Sequence, residues 1–311
     1  MKATNRLAAG AFALLSIVIS TCFAQQVTEE IKTVEQLYPN LASGILTCAK
    51  VNTLQEGVLL KTSDIQITQS DIEASTAKQP PQFRQELTRN GFFVLEQQAT
   101  EKLLRKLAME RLAVQGKDVN SMNDNQMIKT FFEDLAKDVR VTAGDVETFY
   151  KENEAVFCGT PLEKVRTQIE SYVLQDKKER FIDEYIKTVG QKIDVQVSDV
   201  WTQNQARLAK DNPLDKARTS GKPTLAVFSA KSCCGPDKML PVIDAVKEKC
   251  DGKINIVYIE PRQEQILSAR YRIRSIPSQI FYDASGKEIF RHNGFFSDKD
   301  IFAKLSDIGI K

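Results

Sequence analysis

From Pro223 to the C-terminus the apolar residues fall into short bounded runs whose order leaves few folds open. T-L-A-V-F-S-A (224–230) reads as a buried strand, and the cysteine turn S-C-C-G-P-D-K (232–238) leads into the helix D-K-M-L-P-V-I-D-A-V-K-E-K. I-N-I-V-Y-I (254–259) is a second strand and Q-I-L-S-A-R-Y-R-I (265–273) a second helix. S-I-P-S-Q-I-F-Y-D-A-S-G-K-E-I-F-R-H then gives two strands joined by a tight D-A-S-G turn, and D-K-D-I-F-A-K-L-S-D-I closes with a helix. Strand–helix–strand–helix, a hairpin and a last helix predict an α/β sandwich over 223–311.

Residues 25–205 read differently, as a mainly helical domain. G-V-L-L-K-T and I-Q-I-T are short strands ahead of T-Q-S-D-I-E, a helix start with Thr68 and Asp71 in capping-box spacing. P-Q-F-R-Q-E-L-T-R-N-G-F-F-V-L-E-Q-Q-A-T-E-K-L-L-R-K-L-A-M-E-R-L-A follows, with Phe93, Leu95, Ala99, Leu103, Leu104, Leu107 and Leu112 at mostly helical spacings. N-D-N-Q-M-I-K-T-F-F-E-D-L-A is a further helix, and V-T-A-G-D-V-E-T-F-Y-K-E-N-E opens another with the same T-x-x-D start, Thr142 to Asp145. The longest periodic run, Leu162 to about Ile193, carries the stripe Val165, Ile169, Tyr172, Val173, Phe181, Tyr185, Ile186 and Val189. D-V-Q-V is a short strand after it. Residues 206–222, polar and holding Asn212-Pro213 and a Ser-Gly pair, read as a linker.

The first 24 residues have the layout of a secretory signal: Lys2 and Arg6, a short apolar core, then small residues suited to cleavage after Ala24. No later stretch approaches the ~18 apolar residues of a membrane span. A soluble, exported (periplasmic) protein is expected, with lipidation at Cys22 the lesser alternative. With 311 residues and a net charge of +2, nothing points to nucleic acid. Of six cysteines, five follow the cleavage point: Cys48, Cys158, Cys233, Cys234 and Cys250. Export puts them where disulfides persist, and the odd number leaves one thiol over if every bridge is internal. Cys48 and Cys158 are a candidate structural bridge within the helical domain; Cys250 reads as a packed or surface thiol. His292, the only histidine, reads as structural.

The helical stretch resembles the N-terminal module of SurA-type and PpiD-type periplasmic chaperones. The resemblance rests on I-T-Q-S-D-I, E-K-L-L-R-K-L-A-M-E-R-L-A, V-T-A-G-D-V-E-T-F-Y-K-E-N and P-L-E-K-V-R-T-Q-I-E-S-Y-V-L-Q-D-K-K-E-R-F-I-D-E-Y-I. It implies polypeptide binding in an apolar cradle. A parvulin prolyl-isomerase domain, often inserted in that family, has no room here, because only A-V-F-C-G-T lies between the last two of these elements. The alternative is a plain helical spacer or dimerisation domain.

The C-terminal part resembles thioredoxin, through the strand–cysteine–helix opening, R-S-I-P-S-Q, the D-A-S-G-K hairpin and H-N-G-F-F-S-D-K-D-I. The resemblance implies a cis proline at Pro277, with Ser275 and Ile276 lining a groove for an extended peptide beside a reactive sulfur. The C-x-x-C pair of that family is missing, so release of a mixed disulfide falls either to a vicinal disulfide closed between Cys233 and Cys234 or to an external thiol. Read literally, C-G-P-D-K makes Cys234 the nucleophile and puts Asp237 where the second cysteine stands. Phe228 and Pro241 fit the family's flanking positions if Cys233 is the nucleophile, and Pro236 then replaces the second cysteine. Both remain candidates. The sulfur precedes a helix N-terminus, where the dipole favours a thiolate. Lys231 and Lys238 would add to that effect and Asp237 would oppose it.

The reading is therefore a multidomain α plus α/β chain, a SurA-like helical domain followed by a thioredoxin-fold sandwich, exchanging thiols with unfolded or cysteine-containing exported polypeptides. A membrane or periplasmic thiol would be its electron donor; no cofactor and no metal are expected. The alternatives are a redox-silent chaperone or assembly factor, and a soft-metal-binding thioredoxin-like protein.

Overall fold

The structure is a computed structural model that describes residues 32–157, 159–231 and 237–309. The expected signal segment, Cys22, Cys158, Cys233, Cys234 and Pro236 lie outside the described residues. Residues from Ile31 to Lys311 form one compact unit.

The chain enters through α1 (Val34–Leu37), a 3-10 turn (Ile45–Cys48), β1 (Lys50–Asn52), β2 (Val58–Lys61) and β3 (Gln66–Thr68). Helices α2 (Gln69–Ala77), α3 (Pro81–Arg89), α4 (Gly91–Val114), α5 (Asp124–Leu135), α6 (Ala143–Glu152) and α7 (Leu162–Lys192) follow. The helical part ends with β4 (Gln196–Ser198) and α8 (Asp199–Ala209). The T-x-x-D starts are reciprocal caps: Thr68 and Asp71 close α2, and Thr142 and Asp145 close α6, each side chain meeting the other's backbone N–H.

Two features depart from the periodicity. The expected single helix over 81–113 is two, broken at Asn90, whose amide donates to the Glu86 carbonyl at 2.9 Å and competes with continued helix; glycine follows at the start of α4. The strands make one sheet in the order β1-β4-β2-β3, so β4 returns over more than 140 residues to pair in parallel with β1, Val51 opposite Val197. Helix α7 closes on the 3-10 turn at Gly190, where a Cβ would stand 2.6 Å from the Ile45 carbonyl oxygen. Ile45, Leu46, Leu60, Ile67, Phe92, Leu95 and Val197 are the centre of this core.

The stretch 206–222, polar in sequence, is not loose chain. It contains the end of α8 and α9 (Pro213–Arg218), whose Leu214 is fully buried against Ala226, Phe228 and Ile259. Its polarity serves a buried ion cluster. Asp215 meets Arg218 at 3.0 Å and Arg270 at 3.2 Å, and accepts from the Tyr271 hydroxyl at 2.6 Å and the Asn212 amide at 2.6 Å. The arginines reach into the helical part: Arg218 donates to the Pro39 carbonyl, and Arg270 to Asn90 and to the Ala209 carbonyl. Burial pushes the Asp215 carboxyl up, yet the two guanidiniums hold it below the ordinary carboxylate value.

The second sheet has the order β6-β5-β7-β8. Its parts are β5 (Thr224–Phe228), α10 (Met239–Cys250), β6 (Asn255–Ile259), α11 (Gln265–Arg270), β7 (Ser278–Tyr282), β8 (Glu288–Asn293) and α12 (Asp298–Asp307). β5 pairs in parallel with β6 and antiparallel with β7; β7 and β8 form the hairpin. Leu225, Val227 and Phe281 pack under α10 and α12, while Ala226, Phe228 and Ile280 pack under α9 and α11. Alternation along β5 thus supplies both layers of the sandwich.

Candidate functional site

The head of α10 lies where β5 hands over to the helix. Lys231 is exposed on the near side of the cysteine turn, and Asp237 and Lys238 begin the far side. Asp237 is buried at 5% exposure. Its Oδ1 accepts from the Ser229 hydroxyl and from the Met239 N–H, both at 2.8 Å. Its Oδ2 accepts from the Tyr258 hydroxyl at 2.7 Å, for which the Ser229 carbonyl at 2.9 Å is a competing acceptor. Burial, and then the bond to Asp237 and its negative charge, push the Tyr258 phenol well above its ordinary value. A buried carboxylate with three donors is a satisfied anion. It also takes a free N–H at the helix N-terminus, the group that would otherwise favour a thiolate. Lacking a sulfur, it cannot resolve a mixed disulfide.

The Ile276–Pro277 peptide is cis. The Pro277 carbonyl accepts from the Gly294 N–H at 2.8 Å, and the Ser278 hydroxyl, within reach of Asn293 at 3.0 Å, donates to the Ser275 carbonyl at 2.5 Å. Ile276 is 39% exposed, and among the described residues its backbone N–H and C=O have no hydrogen-bond partner. Ser275, Ile276 and Pro277 are thus brought together on one loop.

The helical part reaches this loop directly. Tyr172 of α7 lines one cavity with Ser275, and burial pushes its phenol up. Arg274 pairs with Glu179 and Asp183 of α7, and Arg272 with Asp183 at 3.6 Å. Gly294 (φ +116) lies against Asn153 at the end of α6; a Cβ there would stand 2.3 Å from the Asn153 side-chain oxygen. Between them opens a cavity of about 340 Å³ lined by Phe149, Phe157, Ile169, Tyr172 and Ile276. The apolar stripe of α7 was visible in the sequence, but nothing in it showed that Tyr172 faces the proline loop.

The remaining described candidates do not line the 340 Å³ cavity, although His292 lines the neighbouring charged cleft. Cys48 is exposed with a free thiol, and its suggested partner Cys158 is outside the described residues. Cys250 is buried at the end of α10, which pushes its thiol up. His292 stacks on Phe296 at 4.4 Å, and burial lowers its pKa.

Residues 211–309 match the family model described as a thioredoxin-like domain. Curated relatives include the chloroplastic thioredoxin Y of Oryza sativa, 36% identical over 24% of this chain and 44% of its own. Thioredoxin 1 of a Nostoc strain is 33% identical over 22% of this chain and 64% of its own. The thioredoxin of Porphyra purpurea is 37% identical over 18% and 52%. The chain spans about half the length of the curated relatives it matches. The C-terminal part of the chain is a thioredoxin-like domain, following a mainly helical part with its own small sheet.

Proposed function

We propose that this chain is an exported thiol–disulfide exchange protein whose helical part presents polypeptide clients to the thioredoxin-like domain. The observation that carries the reading is the loop of Ser275, Ile276 and Pro277, where the Ile276 main chain has no hydrogen-bond partner among the described residues, in a domain whose sequence has two cysteines between β5 and α10. Such a loop is suited to holding an extended chain by main-chain hydrogen bonds. The likeness to thioredoxins supports the chemistry, and the resemblance of residues 25–205 to SurA-type and PpiD-type modules supports polypeptide binding.

In the proposed reaction the thiolate of Cys233 or Cys234 attacks one sulfur of a client disulfide. That S–S bond breaks, a protein–client disulfide forms, and the other client sulfur leaves as a thiolate. An external thiol such as glutathione then attacks the protein–client bond, restoring the protein thiolate and leaving the client bonded to the external sulfur. A second external thiol completes the client's two-electron reduction, and the external pair is oxidised to its disulfide. Lys231 and Lys238 favour the protein thiolate, while Asp237 opposes it. Pro236 or Asp237 stands where a resolving cysteine would be, so turnover depends on external thiol.

The test is reduction of insulin or a disulfide peptide by glutathione, with wild type, Cys233→Ser and Cys234→Ser. Loss of turnover in one serine variant identifies the nucleophile; equal rates in all three remove the enzymatic reading. The satisfied anion Asp237 favours a second reading, a chaperone with a redox-silent thioredoxin fold. It predicts that suppression of client aggregation survives loss of both cysteines.

A further inference from the structure

We propose that the cavity between α6, α7 and the Ile276–Pro277 loop is a side-chain pocket, and that it makes the protein selective for extended polypeptides carrying a bulky apolar residue a few positions from the exchanging sulfur. The inference rests on the thiol-exchange reading above and adds a substrate class to it.

The lining is mostly aromatic and aliphatic, with Asn153, Gln168 and Ser275 as its polar members. Phe149 and Tyr172 stand with ring centroids 5.0 Å apart, Phe149 and Phe157 at 6.4 Å, and Ile169 and Ile276 add aliphatic walls. Three of these five come from α6 and α7 and one from the turn between them, so the helical part builds most of a pocket that opens beside the thioredoxin-like domain's loop. Tyr172 and Ile276, at 37% and 39% exposure, stand at solvent-facing positions, which is unusual for large apolar surfaces packed between two parts of a protein.

Two observations identify the occupant as a polypeptide. The N–H and C=O of Ile276, without partners among the described residues, belong to a residue of the wall itself, so a chain pairing with them would carry an adjacent side chain toward the cavity. The cavity also does not end blindly. Phe149, Tyr172 and Ser275 are shared with a more polar cavity of about 360 Å³. Glu152, Asp176, Arg180 and Asn293 then continue from that cavity into a charged cleft of about 740 Å³. An apolar bay at one end of a polar track matches an extended chain better than a compact apolar ligand, which would leave the track unused. Fixed contacts hold the trough open, with Asn153 wedged on Gly294 at one side and Arg274 tied to α7 at the other.

The test uses the full chain with Cys233→Ser and Cys234→Ser, so that binding is read without covalent capture. Fluorescently labelled ten-residue peptides differ only in one residue two positions from a central serine: leucine, phenylalanine, serine or aspartate. Burying one large apolar side chain predicts leucine and phenylalanine peptides binding about tenfold tighter or more. Tyr172→Asp or Ile276→Asp is predicted to shrink that preference below about threefold, with thermal melting confirming a folded protein. Both positions are partly exposed, so if one variant fails to fold the other carries the test. Equal affinity for all four peptides, or a preference untouched by either variant, overturns the pocket. Because the serine protein has no thiol at 233 or 234, a redox-silent protein would still show the preference. Conversely, glutathione-dependent turnover in wild type without any preference would sink the pocket alone.

Discussion

Two of the places where the helical part meets the thioredoxin-like domain are built oppositely. At Asp215 the contact is charged and buried: one carboxylate pairs with two guanidiniums and accepts from a phenol, and the guanidiniums donate on to Pro39, Asn90 and Ala209. At the Ile276–Pro277 loop, beside the Arg274 ion pairs to α7, a largely apolar and partly exposed cavity stands open where packing would be expected. Buried ions are costly unless paired, so the first place suits a fixed joint. A cavity beside unpaired main-chain groups suits a place that something enters. The difference teaches that one contact fixes the two parts by buried charge while the other leaves an apolar cavity open, the place the proposal assigns to a client side chain.

The joint is broken most directly by Asp215→Asn, which leaves Arg218 and Arg270 buried without their counter-charge. A loss of about 3–5 kcal/mol in chemical unfolding is expected. A smaller effect, about 1–3 kcal/mol, is expected for Gly294→Ala, because φ +116 disfavours a side chain and the new methyl meets Asn153. Urea unfolding gives the stability change, and a loss of the peptide preference greater than the stability change would show that the α6 contact shapes the cavity. Tyr258→Phe removes a donor from a buried carboxylate and is expected to cost about 1.5 kcal/mol.

The smallest effect concerns acid stability near the open contact. Lys177 of α7 hydrogen-bonds Asp145 at 2.5 Å, and with the Thr142 cap it holds that carboxyl at about 2. A carboxyl lowered in the folded state stabilises above its unfolded value, near 3.9, and that stabilisation is lost as pH falls toward 2. Lys177→Met is therefore expected to flatten the stability–pH curve between about pH 4 and pH 2, while leaving it unchanged at neutral pH apart from a constant offset.

Local signals were legible in the chain and long-range ones were not. The T-x-x-D starts at Thr68 and Thr142 close within four residues, and the D-A-S-G turn within a hairpin, so a short window carries them. The thioredoxin-like order of elements was legible for the same reason. The pairing of β1 with β4, by contrast, depends on a return over the whole helical part. The polarity of 206–222 reads as linker because Asp215, Arg218 and their partners look solvated until Arg270 and Tyr271, more than fifty residues on, are brought to them. Asp237 could be placed in sequence beside the cysteines, but its burial under Ser229 and Tyr258 could not. The cavity joins residues 149, 172 and 276, which no local pattern links.

The central claim is that a sulfur at the head of α10 reacts with a chain lying along the proline loop. Incubating the reduced protein with an excess of an oxidised, apolar peptide disulfide, without any external thiol, and mapping the adduct by tandem mass spectrometry tests it in one step. The account predicts one peptide joined through Cys233 or Cys234, and much slower capture of a serine-for-leucine peptide. Adducts confined to Cys48, or no adduct while the thiols alkylate freely, would contradict it.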